Sequence, residues 1–222
     1  MPSIDYQRND FNEALPVWEM VDDADDGPST REQRKEIGAK YLIRPSESEK
    51  HSEQCNKRFA KYCEGAVWYS ITSRTLDGLQ GQVFAKDPEI KIPPVLNPML
   101  QDMDGNGLTF EQHSKDTLRD VAKKGRKVLI TDFPKREGDT TQGEILSGTV
   151  KPTIVSFDAK QVINWRTEKM GSKVVLTLLV IVDSMEAFTD EDPFKPKETK
   201  VWRVYRLDEG RYTIEVYKKK DK

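Results

Sequence analysis

Residues 54–88 read QCNKRFAKYCEGAVWYSITSRTLDGLQGQVFAKDP. Apolar side chains recur at helical spacing through the first half of this stretch, at Phe59, Tyr62, Cys63, Ala66, Val67 and Ile71. This spacing places one apolar stripe along a long helix. Gly78 and Gly81 could end this helix or allow close backbone packing, and Pro88 stops any further helix. A long amphipathic helix needs a packing partner, so we expect this one to anchor the core.

Before this stretch, the pattern predicts shorter helices. Apolar residues at helical spacing run from Phe11 to Val21, and we expect this helix to begin at Pro16, because proline fits a first turn. The aspartates of residues 22–26 precede Gly27 and predict a solvated loop, with a metal-binding cluster as the alternative. Two capping boxes are predicted, one for a short helix ending near Gly38 and one that opens the central helix region, at Thr30/Gln33 and Ser46/Glu49.

Residues 86–98, KDPEIKIPPVLNP, carry four prolines and predict an extended linker. We therefore divide the chain into an N-terminal helical region with its proline-rich linker, residues 1–98, and an α/β domain, residues 99–222.

The sharpest chemical motif is Asp102-Met103-Asp104-Gly105-Asn106-Gly107, which matches the first half of an EF-hand calcium loop. Its twelfth position is His113 where a bidentate glutamate is needed. A turn followed by a helix is the favoured interpretation, with Thr109 and Gln112 as a capping box. A small calcium-binding or regulatory interaction domain using residues 102–113 remains the alternative function.

The rest of the α/β part reads as one helix and several strands. The helix covers residues 110–124, is ended by Gly125, and is predicted to point four residues inward: Phe110, Leu118, Val121 and Ala122. Strands are predicted at 127–133, 154–157, 159–165, 174–182, 200–207 and 211–217. The last three form an antiparallel meander, to which 127–133 could add, with a hairpin turn at 208–210.

The predicted strands of this sheet differ in burial. Residues 174–182 are apolar on both faces and predict a central strand that is covered on both sides, whereas 200–207 and 211–217 alternate as half-buried strands. Residues 135–149 and 185–198 are predicted to be loops. The expected fold class is α+β, with N-terminal helices followed by a mostly antiparallel sheet and a packed helix.

The sequence contains no pattern of a known active site, whether nucleophile elbow, histidine-centred triad, dinucleotide fingerprint or phosphate loop. The two histidines, His51 and His113, are far apart and define no zinc site. Cys55 and Cys63 would lie ~12 Å apart along one helix, too far for a disulfide. We expect no catalytic residue, cofactor or metal, and hence not an enzyme.

Composition limits the partners. The 222 residues are 36% hydrophobic and 33% charged with a net charge of −2, which gives no general attraction to nucleic acid or anionic lipid. No apolar run approaches the ~20 residues of a membrane span. Trp202, Arg203, Tyr205 and Arg206 with the lysines of residues 218–222 could form a nucleic-acid surface; an ordinary amphipathic strand and a solvated terminus are favoured.

Several short motifs occur in an order that resembles the portal, or head-to-tail connector, proteins of tailed bacteriophages. The ordered set comprises Tyr41-Leu42 with Arg44-Pro45, the central helix, residues 74–81, Val83-Phe84 with Pro88, Asp104 to Gly107, Gly125-Arg126, Asp132-Phe133-Pro134, and Ile163-Asn164-Trp165-Arg166. The resemblance runs from about Trp18 to the C-terminus.

This resemblance implies a portal wing-like fold and a structural role in the virion. The chain would be a subunit of a homo-oligomeric ring, a dodecamer, at the capsid vertex, assembled in the host cytoplasm. Double-stranded DNA would pass through the ring during packaging and ejection. Its protein partners would be the terminase large subunit, the capsid, and head-completion or tail proteins, with no membrane. Portal subunits also carry long stem helices and a clip, and no such helix is predicted after Tyr217, so the chain would correspond to the N-terminal, wing portion.

Overall fold

A computed structural model describes residues 3–44, 52–134, 141–189 and 192–218. The helices are Asn9–Asp26 (α1), Arg31–Tyr41 (α2), Glu53–Gly65 (α3), Ile71–Val83 (α4), Asn97–Gln101 (α5), Phe110–Lys124 (α6) and Gln142–Leu146 (α7). The strands are Val128–Asp132 (β1), Thr153–Phe157 (β2), Val162–Met170 (β3), Lys173–Thr189 (β4), Asp192–Asp208 (β5) and Arg211–Lys218 (β6). The predicted α+β class is therefore confirmed.

The chain forms two compact units. One comprises Val17–Asp87, and the other combines Met1–Pro16 with Pro88–Lys222. Helix α1 runs through the point at which they divide. The domain boundary inferred from the sequence, between residues 98 and 99, stays a prediction.

In the unit Val17–Asp87, helices α2 and α3 lie close together at Gly38. A Cβ atom built at Gly38 would lie 2.7 Å from Cys63 Cβ and 3.2 Å from Cys63 Cα. Only glycine allows the two helices to approach this closely. Two ion pairs flank the contact, because Glu64 on α3 accepts from Arg31 at 2.8 Å and from Lys35 at 2.7 Å.

The single long helix expected over this region is wrong, since the chain forms two helices. Helix α3 ends at Gly65, and Ala66 is extended with φ −64° and ψ 133°. The predicted stripe holds at Phe59 and Cys63, which are buried on α3, but fails at Tyr62 and Val67, which are 50% and 91% exposed. Glycine is the weakest helix former after proline, so the apolar spacing beyond Gly65 was insufficient to continue the helix. Cys55 and Cys63 are free thiols, as expected.

Helix α1 extends further in both directions than the sequence indicated. It begins at Asn9, so Pro16 lies inside it, and buried Phe11 and Trp18 flank the position where proline removes a backbone hydrogen bond. The predicted acidic loop is also wrong, because the aspartates form the last turns of α1. Asp23 accepts from Lys40 Nζ and Tyr41 Oη, each at 2.7 Å, so intramolecular pairing offsets the unfavourable charge at the helix C-terminus.

The helix termini follow the predicted caps in part. Thr30 and Gln33 form the expected capping box at α2, which continues past Gly38 to Tyr41. The Ser46/Glu49 box lies outside the described residues, and Ser52 caps α3. The proline-rich linker contains a 3-10 turn at Pro94–Leu96 and then α5, whose first turn holds Pro98. The loop expected at residues 135–149 includes α7 and its own capping box, while 135–140 are outside the described residues.

Within the described residues, six strands form two antiparallel sheets. The larger sheet has the order β3-β4-β5-β6, which confirms the predicted meander. Strand β1 does not join it and pairs with β2, with Val128 opposite Phe157 and Asp132 opposite Thr153. Glu209 and Gly210 form the two-residue turn between β5 and β6 with φ values of 48° and 80°, as expected for a type I′ hairpin.

The core of this unit lies between the two sheets. Its buried members are Phe157 of β2, Val162 of β3, Leu179 and Ile181 of β4, and Tyr205 of β5. Val128, Ile130 and Val155 of the smaller sheet pack against them. The middle of β4 is buried at three successive residues, Leu179, Val180 and Ile181, so both of its faces are covered there, as predicted.

Strands β4 and β5 continue past the other strands as a two-stranded ribbon. Their pairing runs to Thr189 opposite Asp192, whereas β3 pairs with β4 only up to Ile181 and β6 pairs with β5 only up to Val201. The acidic loop predicted at residues 185–198 is therefore wrong for its described part. Glu186 lies directly opposite Glu198, a like-charge pair that disfavours the ribbon on its own.

Burial differs from the predicted pattern at three elements. Strand β5 is buried at Val201, Trp202, Val204 and Tyr205 and is therefore covered on both faces, whereas every residue of β6 is exposed. Neither strand alternates as a half-buried one. On α6, the predicted inward residues Val121 and Ala122 are exposed and Phe110 and Leu118 are half-buried, whereas His113 is buried.

The Gly38 contact generates a prediction. Gly38→Ala adds a methyl group against the α3 backbone and should destabilise the protein by ~1–3 kcal/mol, partly offset by the better helix propensity of alanine. Gly78→Ala is the matched control, because Gly78 is also inside a helix but has nothing within 4 Å of its Cβ position. It should stabilise by ~0.5–1 kcal/mol. Thermal unfolding of both variants measures the difference, and equal shifts would contradict the close-contact interpretation.

Candidate functional site

The Asp102–Gly107 motif forms a tight turn ahead of α6. Asp102 Oδ1 accepts hydrogen bonds from the backbone N–H groups of Gly105 and Gly107, each at 2.8 Å. Asp104 Oδ1 accepts from the N–H groups of Asn106 at 2.9 Å and Leu108 at 3.1 Å. Gly105 and Gly107 have φ values of 86° and 91°, a conformation that favours glycine. The carboxylates therefore serve as internal acceptors that shape the turn.

A lysine occupies the position next to Asp102 where a cation would act. Lys151 Nζ donates to Asp102 Oδ2 at 2.5 Å and to the Asp102 carbonyl at 2.6 Å. The hydrogen bond from Lys151, with that from the Gly107 N–H, lowers the pKa of Asp102 below its usual value. With Asp102 neutralised in this way and the bidentate glutamate replaced, the oxygens that calcium requires are not assembled.

The helix cap after the turn agrees with the turn-and-cap interpretation. Thr109 accepts from the Gln112 N–H at 3.3 Å, although the Gln112 side chain bonds Asp116 rather than completing a capping box. Within the described residues, no group of three or more histidine, cysteine or acidic side chains is placed to hold a metal ion. Asp22, Asp23 and Asp26 thus do not form a metal cluster with any neighbour in that part of the chain.

His113 is buried, which its position in the sequence did not indicate. It lies on the inner side of α6 with 6% exposure, and its Nε2 atom has no hydrogen-bond partner among the described residues. Burial lowers the pKa of His113, and the nearby Lys127 lowers it further, whereas Asp104 and Asp116 oppose the shift. The neutral imidazole is therefore the form that the folded protein favours.

Two arginines stack on Trp165, the tryptophan of β3. The guanidinium carbons of Arg8 and Arg126 each lie 4.4 Å from the centroid of the Trp165 ring. Arg8 also donates to the Trp165 carbonyl at 2.8 Å and forms an ion pair with Asp10, while Arg126 donates to the carbonyls of Ala159 and Val162. Hydrogen bonds and cation–π contacts thus attach the N-terminal segment and the α6–β1 connection to β3.

A shallow concave surface adjoins this arginine–tryptophan stack. It is lined by residues that include Tyr6, Arg8, Asp10, Glu13, Asn164 and Arg166. The charges are of both signs, and Arg8 is committed to Asp10 and Trp165. Such a surface can hold a polar protein segment by hydrogen bonds, and these six residues include no nucleophile with an adjacent base.

The residues considered for nucleic-acid binding do not form a stacking surface. Trp202 and Tyr205 are 7% and 8% exposed, so their rings are buried in the sheet rather than open to bases. Arg203 Nε pairs with Asp183 at 2.7 Å, and Arg206 Nε lies 3.5 Å from Glu215. Of the lysine tail, residues 219–222 are outside the described residues.

No family model and no curated protein matches the chain. Among the described residues, no helix combines the length and hydropathy needed to cross a bilayer. The sequence identified the Asp102–Gly107 turn but missed Lys151, His113 and the Arg8–Trp165–Arg126 stack. Lys151 is 49 positions from Asp102 and Arg8 is 157 positions from Trp165, so no local sequence pattern reveals these pairs.

The Lys151–Asp102 pair should stabilise the turn without metal. Lys151→Met is expected to lower the melting temperature, because it leaves the Asp102 carboxylate without its ammonium partner. Lys57→Met is the matched control, since Lys57 pairs with Glu53 on an open helix surface where ion pairs contribute little. Differential scanning calorimetry with and without millimolar calcium checks both points. A calcium-dependent rise in the melting temperature of the parent chain would contradict the turn interpretation.

His113 should make stability depend on pH between about 7.5 and 5.5. Its pKa is lowered on folding, so its contribution is fully present above the unfolded value of ~6.5 and is lost as pH falls through the folded value. Chemical denaturation across this range should show the loss in the parent and a flatter profile in His113→Gln. The His51→Gln variant reports the contribution of the other histidine, and a profile unchanged by His113→Gln would contradict the assignment.

Proposed function

We propose that the chain is a structural subunit of the portal ring at the capsid vertex of a tailed bacteriophage, through which DNA is packaged and ejected. The ordered series of motifs from about Trp18 onward carries this proposal. It implies twelve copies in a ring, contacts with the terminase large subunit, the capsid and head-completion or tail proteins, and duplex DNA in the channel. The chain would then act in the virion after assembly in the host cytoplasm.

The positions of the motifs in the fold support the proposal. Asp104 to Gly107 form the turn before α6, and Gly125 ends α6 in the left-handed conformation with φ 76°. Arg126, which follows directly, stacks on Trp165 of the Ile163–Arg166 motif and donates to the Val162 carbonyl at 3.1 Å. Motifs that are distant in sequence therefore contact each other and define the fold, as expected if they are shared by a structural family.

The distribution of charge also supports a role in which DNA slides past. The net charge is −2, and the described arginines of β5 are paired with acidic residues, Arg203 with Asp183 and Arg206 with Glu215. Each lysine or arginine that holds a phosphate adds to a salt-dependent affinity. A translocation channel benefits from few such contacts, because strong binding would slow the passage of DNA.

The oligomeric state of the purified chain tests the proposal. Native mass spectrometry should show a closed assembly, about 306 kDa for twelve copies of the 25.5 kDa chain, and negative-stain images should show rings. Affinity for duplex DNA should be weak and should fall with salt. A chain that stays monomeric or dimeric across the accessible concentrations would contradict a ring built by these residues alone, and would leave ring formation to the stem and clip that portal subunits also carry.

A further inference from the structure

The two edges of the larger sheet differ in whether another segment of the chain covers them. At the β3 edge, the Arg8 backbone N–H donates to the Ile163 carbonyl at 3.1 Å and the Arg8 side chain donates to the Trp165 carbonyl at 2.8 Å, so the N-terminal segment covers part of this edge. At the β6 edge, no strand among the described residues pairs with the outer side. Sheet edges that are not covered usually carry prolines, bulges or inward charges, which prevent pairing with another chain.

Strand β6 has none of these protective features between Arg211 and Tyr217. Its pairing with β5 is regular over the whole strand, and no proline interrupts it. Tyr212, Ile214 and Val216 lie on one face and are 48–53% exposed. Ile214 is opposite Tyr205, and Val216 is opposite Arg203, so these apolar side chains extend the face of the sheet that carries the core. The edge is therefore long and regular, and one of its two faces is apolar.

The hairpin geometry determines which backbone groups of β6 face outward. The two-residue turn Glu209-Gly210 closes on the pair Asp208 and Arg211, which in this hairpin type exchanges hydrogen bonds. The N–H and C=O groups of every second residue from Arg211 then point to β5. The groups of Tyr212, Ile214 and Val216 point away from the sheet and are open to a further strand.

We propose that β6 pairs antiparallel with β6 of a second copy of this chain, about a two-fold axis at Ile214. Pairing Ile214 with Ile214 brings Tyr212 opposite Val216 and Thr213 opposite Glu215. Arg211 then lies opposite Tyr217, which allows a cation–π contact. The outward groups of Tyr212 meet those of Val216 and those of Ile214 meet the same groups of the partner, and no aligned pair joins two like charges.

The sequence of β6 selects this register over its neighbours. A shift by two residues toward the C-terminus places Glu215 opposite Glu215, a like-charge pair that is destabilising. A shift by two residues toward the N-terminus reduces the overlap to the five residues from Arg211 to Glu215 and leaves Val216 uncovered. The register centred on Ile214 uses seven residues, from Arg211 to Tyr217, and contains no like-charge pair.

The contact is isologous, so it links two copies and then closes. The two sheets together would form one continuous sheet of eight strands, four from each copy. A ring requires a different, head-to-tail surface. The β6 pairing therefore uses a surface separate from that of the ring: if both form, two rings of twelve would be linked, and either interface can fail without the other.

Sedimentation velocity over a range of concentrations tests the pairing. The parent should dimerise, and Ile214→Lys, which places two ammonium groups opposite each other, should raise the dissociation constant of the dimer at least roughly tenfold. Val174→Lys is the matched control, because Val174 is 71% exposed on β4 and outside the contact. It should dimerise like the parent. Any ring seen by native mass should persist in Ile214→Lys, which separates the two interfaces.

Disulfide cross-linking tests the register. Ile214→Cys should form a covalent dimer under mild oxidation, because residue 214 faces its own symmetry mate. Val216→Cys should not, since its mate would be ~13 Å away along the strand. Glu215→Cys reports the shifted register, and the parent gives the background from Cys55 and Cys63. A parent that stays monomeric, a dimer that Ile214→Lys leaves intact, or preferential cross-linking at position 215 or 216 would overturn the proposal.

Discussion

Burial of a few side chains between two sheets is the constraint on which the larger unit depends. A two-stranded sheet such as β1–β2 is marginal in water unless one face is covered. Here Phe157 and its neighbours cover that face by packing on Val162, Leu179, Ile181 and Tyr205 of the four-stranded sheet. The same contact buries the centre of β4, so each sheet covers an apolar face of the other. The turns, the helix caps and the arginine stack described above orient the two sheets, and the apolar packing between the sheets stabilises them.

Local signals predicted the elements whose ends are defined by local chemistry. Helix α6 has its predicted bounds because Thr109 caps one end and Gly125, in the left-handed conformation, ends the other. The hairpin at Glu209-Gly210 likewise follows from its turn residues. Periodicity alone was less reliable. It continued past Gly65, where the helix stops, and it assigned an inward face to Val121, which is exposed, because spacing defines a stripe but not which neighbour covers it.

The polar centre of the unit could be predicted only in part. The Asp102–Gly107 motif was recognisable, and its missing glutamate correctly pointed to a turn. Lys151 could not be found, because its ammonium reaches Asp102 from 49 residues away through tertiary structure. In the sequence, His113 stood out only because it replaces the glutamate of a calcium loop. Its burial could not be predicted, because burial depends on which other residues pack against a position. Trp202 and Tyr205 are the opposite case. The aromatic and basic pattern on β5 could have indicated a nucleic-acid surface, but these two rings are buried at the centre of the sheet.

The arrangement of the two units along the chain has a consequence for biosynthesis. The unit Val17–Asp87 is contiguous, so it can fold as soon as it leaves the ribosome. The other unit is discontinuous, because Arg8 contacts Trp165, which is 157 residues later. Its N-terminal segment must therefore wait, unpaired, while the first unit and most of the second are translated. Docking of this segment onto β3 can therefore begin only after residues 163–165 have been synthesised.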